Sequence, residues 1–121
     1  MAKSILVVDD EAVVAGISKK KLEEHGYEVE TAADGLEAIE RLKAKKPDLI
    51  VLDIQMPKMN GYSFVVEKDK SPEYINIPVI AITAYFEMAP LFARHHIQAY
   101  LLKPLKLQDL IDKVTELIGQ P

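Results

Sequence analysis

The sequence predicts an α/β fold: a (βα)5 arrangement in which a doubly wound five-stranded parallel sheet carries helices on both faces. Three observations lead there. Short, uninterrupted apolar runs alternate regularly with helical stretches, as strands buried on both sides should. A length of 121 residues suits one core that buries roughly two-thirds of the unfolded chain's surface. With 49% hydrophobic and 28% charged residues, the chain lies far from compositions that stay disordered. One domain spanning residues 1–121 is therefore expected.

Each element has its own justification. Ile5-Leu6-Val7-Val8 is a continuous β-branched run and reads as the first strand. A helix from about Glu11 to His25 follows, with Val13, Val14, Ile17 and Leu22 expected inward, and Gly26 ends it. Glu28 to Ala32 reads as a second strand. Asp34-Gly35-Leu36-Glu37 has capping-box spacing and opens a helix that runs to about Lys45, with Leu36, Ile39 and Leu42 expected inward. Pro47 breaks that helix before the third strand, Leu49-Ile50-Val51-Leu52. Gln55 to Gly61 is a loop by its Pro and Asn-Gly content, and a third helix is expected from Tyr62 to Lys70. Val79 to Thr83 and Ala99 to Leu102 read as strands four and five. In the last helix Leu107, Leu110, Ile111, Val114, Leu117 and Ile118 recur at helical spacing.

Charge and composition exclude several function classes. The formal charge is −4, from 15 Lys+Arg against 19 Asp+Glu, so no broad basic surface is available to neutralise a phosphate backbone. Direct nucleic-acid binding is not expected. The absence of cysteine excludes a disulfide framework, a thiolate nucleophile and a zinc-thiolate site. Ile77 to Phe86, the longest apolar stretch, is about half a membrane span, and no signal peptide is legible. A cytoplasmic protein with no membrane contact is expected.

Chemistry collects at the strand ends. Asp9 and Asp10 follow strand one, Asp53 follows strand three, Thr83 closes strand four and Lys103 follows strand five. Open α/β sheets bind ligands beyond the strand C-termini, where strand order reverses. If the order is 2-1-3-4-5, that point lies between strands one and three and gathers Asp9, Asp10 and Asp53. Three carboxylates repel one another by about 3 kcal/mol per pair at ~5 Å and an effective dielectric near 20. A cation is needed, and hard oxygens without His or Cys favour Mg²⁺. Lys103 adds a second positive charge and Thr83 a hydroxyl donor. A metal, an ammonium and a hydroxyl around one carboxylate are what a transferring phosphoryl group needs. Taken singly, each aspartate could merely cap a helix, and Lys-Pro could be a turn.

Together these motifs resemble a receiver domain of two-component signalling, the family of the chemotaxis response regulator. The resemblance runs from Ile5-Leu6-Val7-Val8-Asp9-Asp10-Glu11 through Leu52-Asp53-Ile54-Gln55-Met56-Pro57 and Ile80-Ala81-Ile82-Thr83-Ala84 to Tyr100-Leu101-Leu102-Lys103-Pro104. It implies the strand order 2-1-3-4-5. It implies that Asp53 is the phosphoacceptor, taking a phosphoryl group from the phosphohistidine of a sensor histidine kinase or phosphotransfer protein, or from acetyl phosphate. Asp10 and Asp53 would hold Mg²⁺ with the Gln55 backbone carbonyl, and Asp9 would act through water. Thr83 would swing toward the phosphoryl oxygens, Lys103 would pair with them, and Tyr100 would move inward. Pro104 would follow a cis peptide. The domain would be a signalling switch and not an enzyme in the ordinary sense. It would be free-standing or cut from a larger chain, with an output partner or effector domain that the sequence does not name.

One segment departs from the family pattern. Nineteen residues separate Thr83 from Lys103, about two fewer than the resemblance leads one to expect. Tyr85, Phe86, Met88, Leu91 and Phe92 crowd its start, Pro90 interrupts it, and His95-His96-Ile97 precedes strand five. A short or poorly ordered fourth helix is expected. Local repacking and a patch for a partner or a homodimer are both open readings of it. From a different function class, an interaction module that dimerises without being phosphorylated would need neither Mg²⁺ nor Asp53. A flavodoxin-like cofactor binder is excluded, because two acids after strand one would repel a cofactor phosphate.

Overall fold

The computed structural model describes residues 2–54, 61–83 and 97–121. Its strands β1 (Ser4–Val8), β2 (Glu28–Ala32), β3 (Leu49–Asp53), β4 (Val79–Thr83) and β5 (Ile97–Leu102) form one parallel sheet in the order β2-β1-β3-β4-β5. The helices among the described residues are α1 (Ala12–Glu24), α2 (Gly35–Ala44), α3 (Gly61–Asp69) and α4 (Leu107–Ile118). β5 starts at Ile97, two residues before the expected Ala99. The expected fourth helix lies in residues 84–96, outside the described residues. No helix among those described is long and apolar enough to cross a membrane.

Strand alternation divides the core into two layers, because successive side chains point to opposite faces. Leu6, Val8, Ile50, Leu52, Val79 and Ala81 face α2 and α3, where they meet Ala38, Leu42, Phe64 and Val65. Ile5, Val7, Val51, Ile80 and Ile82 face α1 and α4, where they meet Ala15, Leu22, Leu110, Ile111 and Val114. The central strands are buried throughout, which is why their sequences read as unbroken apolar runs.

Two helices present different faces from those expected. α1 buries Ala15, Ser18 and Leu22, while Val13, Val14 and Ile17 are exposed. α2 buries Gly35, Ala38 and Leu42, with Ile39 partly buried and Leu36 exposed. In both, small residues lie against the sheet and let the helix backbone approach it closely, and the larger apolar side chains are turned outward. The capping box forms in modified shape: Asp34 accepts from the Glu37 N–H at 2.9 Å, and Glu37 reaches back to the N–H of Ala33 at 3.1 Å. Gly26 ends α1 with φ of 102°, a conformation glycine adopts without strain.

Gly16, in the middle of α1, has nothing within 4 Å of where a Cβ would stand. Gly16→Ala is therefore expected to stabilise the fold by about 0.5–1 kcal/mol through lower unfolded-state entropy and better helix propensity. A thermal melt should show a rise of a few degrees; a fall would mean that α1 is not helical at that position.

Sequence reasoning did not foresee a lysine inside the core. Lys68 on α3 is fully buried, and its Nζ donates to the carbonyls of Tyr74 and Ile75, each at 3.1 Å, and pairs with Asp69 Oδ1 at 2.9 Å. It thereby fastens the turn that leads into β4. At the other end of the chain, Tyr27 Oη donates to the Gly119 carbonyl at 2.7 Å and Lys3 Nζ donates to the Ile118 carbonyl, so both hold the last turn of α4.

Candidate functional site

Five expected site residues stand at the C-terminal ends of four strands, and the sheet order brings those ends together. β1 lies between β2 and β3, so the reversal of strand order falls beside β1. There Asp9, Asp10 and Asp53 place carboxylate oxygens within 4.8 Å of one another. Asp9 and Asp53 are buried, whereas Asp10 is exposed at the mouth. The pairing of Asp53 with Ile82 sets β4 so that Thr83, also buried, lies one residue beyond Asp53 along the sheet. The Lys103 N–H then donates to the Thr83 carbonyl at 2.9 Å, which continues the β4–β5 ladder and fixes where the lysine leaves the sheet.

The ammonium of Lys103 closes the cluster. Its Nζ is 3.1 Å from Asp53 Oδ2, with the Asp53 side chain almost completely buried and the lysine side chain one-third exposed. A charge-assisted contact of this kind orients one carboxylate oxygen and leaves the other available. The Lys103–Pro104 peptide is cis. Tyr100, on β5, is half-buried against the α2–α3 layer, and its burial raises the pKa of its hydroxyl. Gln55 lies outside the described residues.

The Asp9 carboxylate is held by its neighbour's backbone: Oδ1 accepts from the Glu11 N–H at 2.9 Å. Nothing in the sequence singles out that contact, because it is made by a main-chain donor at the start of α1. Burial nevertheless dominates, assisted by the charges of Asp53 and Asp10. Against the opposing effects of the Glu11 N–H and Lys103, it lifts the Asp9 pKa from 3.8 to about 6. The sign for stability follows. A carboxyl whose folded pKa is raised contributes stability that is complete below pH 3.8 and is lost as pH rises through 6. In the absence of divalent metal, Asp9→Asn is therefore expected to melt several degrees above the wild type at pH 7, with the gap narrowing toward pH 4.5. A gap that widens on acidification would show that Asp9 stabilises the fold as an anion.

Three hard carboxylates, with no His or Cys among them, suit a small oxygen-seeking divalent cation. The site is thus an acidic pocket with one fixed cation at its edge and a buried hydroxyl-bearing residue beside it.

A family model described as the response regulator receiver domain matches residues 5–115. Among curated relatives, the probable transcriptional regulator ycf27 of Cyanophora paradoxa is 38% identical over 118 residues, which is 96% of this chain and 48% of the relative. The chain spans about half the length of the first curated relatives it matches. Among solved structures, the chemotaxis protein CheY4 of Vibrio cholerae superposes with a TM-score of 0.92 at 28% identity, covering 98% of this chain and 100% of that one. The receiver domain of the sensor histidine kinase PA1611 of Pseudomonas aeruginosa, solved with a magnesium ion coordinated in its active-site cleft, gives 0.87 at 28% identity, covering 99% and 100%. With the family model over nearly all of its length and the strand order to match, this chain belongs to the response regulator receiver domain family.

Proposed function

We propose that the chain is the phosphoacceptor of a two-component signalling system, located in the cytoplasm, with Asp53 as the residue modified. The observation that carries this reading is the Asp53–Lys103 contact at 3.1 Å inside a cluster of three carboxylates. An Asp53 oxygen attacks phosphorus in line with the bond to the donor, a phosphohistidine of a sensor histidine kinase or phosphotransfer protein, or acetyl phosphate. As the new O–P bond forms, the donor bond breaks, and its electron pair leaves with the imidazole, which takes a proton from solvent, or with acetate. Lys103 pairs with a phosphoryl oxygen as charge moves onto the Asp53 acyl phosphate, and the Thr83 hydroxyl donates to another.

Asp10, Asp53 and the Gln55 carbonyl are the groups that would hold Mg²⁺, with Asp9 acting through water; bound there, the ion neutralises the phosphoryl oxygens. The magnesium ion in the similar PA1611 receiver supports the assignment. Thr83 and Tyr100 form the switch in this reading, and the face that includes β5, α4 and residues 84–96 reports to an output partner or effector domain.

Incubation with acetyl phosphate and Mg²⁺ tests the reading. One phosphoryl group should be gained by intact mass, and chelation of the metal should prevent it. Asp10→Ala should raise the Mg²⁺ dissociation constant more than Asp9→Ala does, as measured by calorimetry. A chain that takes up no phosphoryl group with either small donors or a histidine kinase is the non-phosphorylated interaction module instead.

A further inference from the structure

Three of the large apolar side chains that are exposed lie on one helix: Val13 at 76%, Ile17 at 50% and Val14 at 37%. They occupy the flank of α1 that faces away from the sheet, since Ala15, Ser18 and Leu22 take the inner side. The patch continues across a groove to Pro104, Leu105 and Leu107, which together with Val14 and Ile17 line a cavity of about 360 Å³. Contiguous apolar surface of this kind contributes nothing to the core and is favoured only when covered.

Charge on the same flank indicates what covers it. Lys20 and Lys21 stand toward the C-terminal end of α1, and the exposed acids Asp10 and Glu11 stand at its N-terminal entrance. Val14, Ile17 and Lys21 fall at i, i+3 and i+7, which is one face of a helix, and Asp10 precedes them by one turn. Turned end for end, this face complements itself. Val14 comes opposite Ile17 of a second copy, and the Asp10–Glu11 pair comes opposite Lys20 and Lys21. The antiparallel arrangement also sets opposite helix-dipole ends together.

We infer that the outer flank of α1 is a docking surface for a second copy of this chain, packed antiparallel about Val14 and Ile17. One helix crossing falls below the area of a standard stable interface, so the dimer is weak and reversible, with a dissociation constant of ~0.1–1 mM. It needs neither a phosphoryl group nor Asp53, so it stands or falls separately from the proposed function.

Sedimentation equilibrium of the chain across that concentration range should show reversible dimerisation. Ile17→Lys and Lys21→Glu should each weaken it by at least about tenfold while leaving the circular dichroism and melting temperature unchanged, because both side chains are outside the core. Mixing Lys21→Glu with Asp10→Lys should recover association, since each copy then offers the charge its partner lacks. The absence of native cysteine permits a register test. Val14→Cys mixed with Ile17→Cys should form mixed disulfides faster than either forms its own. A chain that remains monomeric at 1 mM overturns the inference and leaves this flank to another partner. A dimer indifferent to both substitutions overturns it by placing the contact elsewhere.

Discussion

Replacing Asp53 by asparagine is expected to cut phosphoryl uptake from acetyl phosphate by a factor on the order of 10³ or more, leaving only background. Asparagine keeps the shape of the side chain and a neutral oxygen, but loses the anionic nucleophile. It also removes one of three mutually repelling carboxylates, so the fold should melt no lower than the wild type and should melt higher without divalent metal. That combination separates the chemistry from folding. A buried group that served structure alone would lose stability when changed, and one that served chemistry alone would lose uptake. Time-resolved intact-mass measurement with the variant and the wild type side by side is the check. Persistent labelling of Asp53→Asn would move the acceptor to Asp9 or Asp10.

The second large effect concerns stability. Lys68→Ala is expected to destabilise the fold by about 3–5 kcal/mol, a substantial fraction of the total for a domain of this size. Two contributions add. The fully buried alkyl stem leaves a cavity, and the Tyr74 and Ile75 carbonyls lose the donor that both share. Lys68→Met fills the cavity but restores no donor, so its loss should be smaller, about 1–3 kcal/mol. Urea unfolding of the two variants separates the contributions. If both variants lie within about 1 kcal/mol of the wild type, water reaches the turn and the lysine does not anchor it.

The site was legible because connectivity places chemistry at strand ends. Once the alternating pattern predicted a parallel sheet, Asp9, Asp10, Asp53, Thr83 and Lys103 stood at the same edge of it whatever the helices did. The helices were harder to read. Val13, Val14 and Ile17 match a helical period as well as Ala15, Ser18 and Leu22 do, and volume alone pointed to the wrong set. Helix–sheet contact favours close backbone approach, so the small residues went inward. Lys68 shared the inward spacing of Phe64 and Val65, yet a lysine at such a position reads as solvated unless its acceptors are known. Those acceptors are main-chain carbonyls at Tyr74 and Ile75, and a main-chain acceptor carries no sequence signature.

The order of the strands also bears on how the molecule comes together in time. No neighbouring pair in this sheet is a hairpin, and the first pairing into the centre joins Ile5 to Leu49, across most of the N-terminal half. Contacts so distant along the chain slow folding, because loop closure precedes any gain from packing. In a chain emerging from the ribosome, β1, β2 and β3 can assemble before β4 and β5 have been made. That half already carries Asp9, Asp10 and Asp53. Lys103 arrives only with the final strand, so three anions converge before their ammonium partner exists. The late stages of assembly therefore proceed against electrostatic repulsion that a divalent cation would relieve, and added Mg²⁺ should accelerate refolding more than it accelerates that of Asp53→Asn.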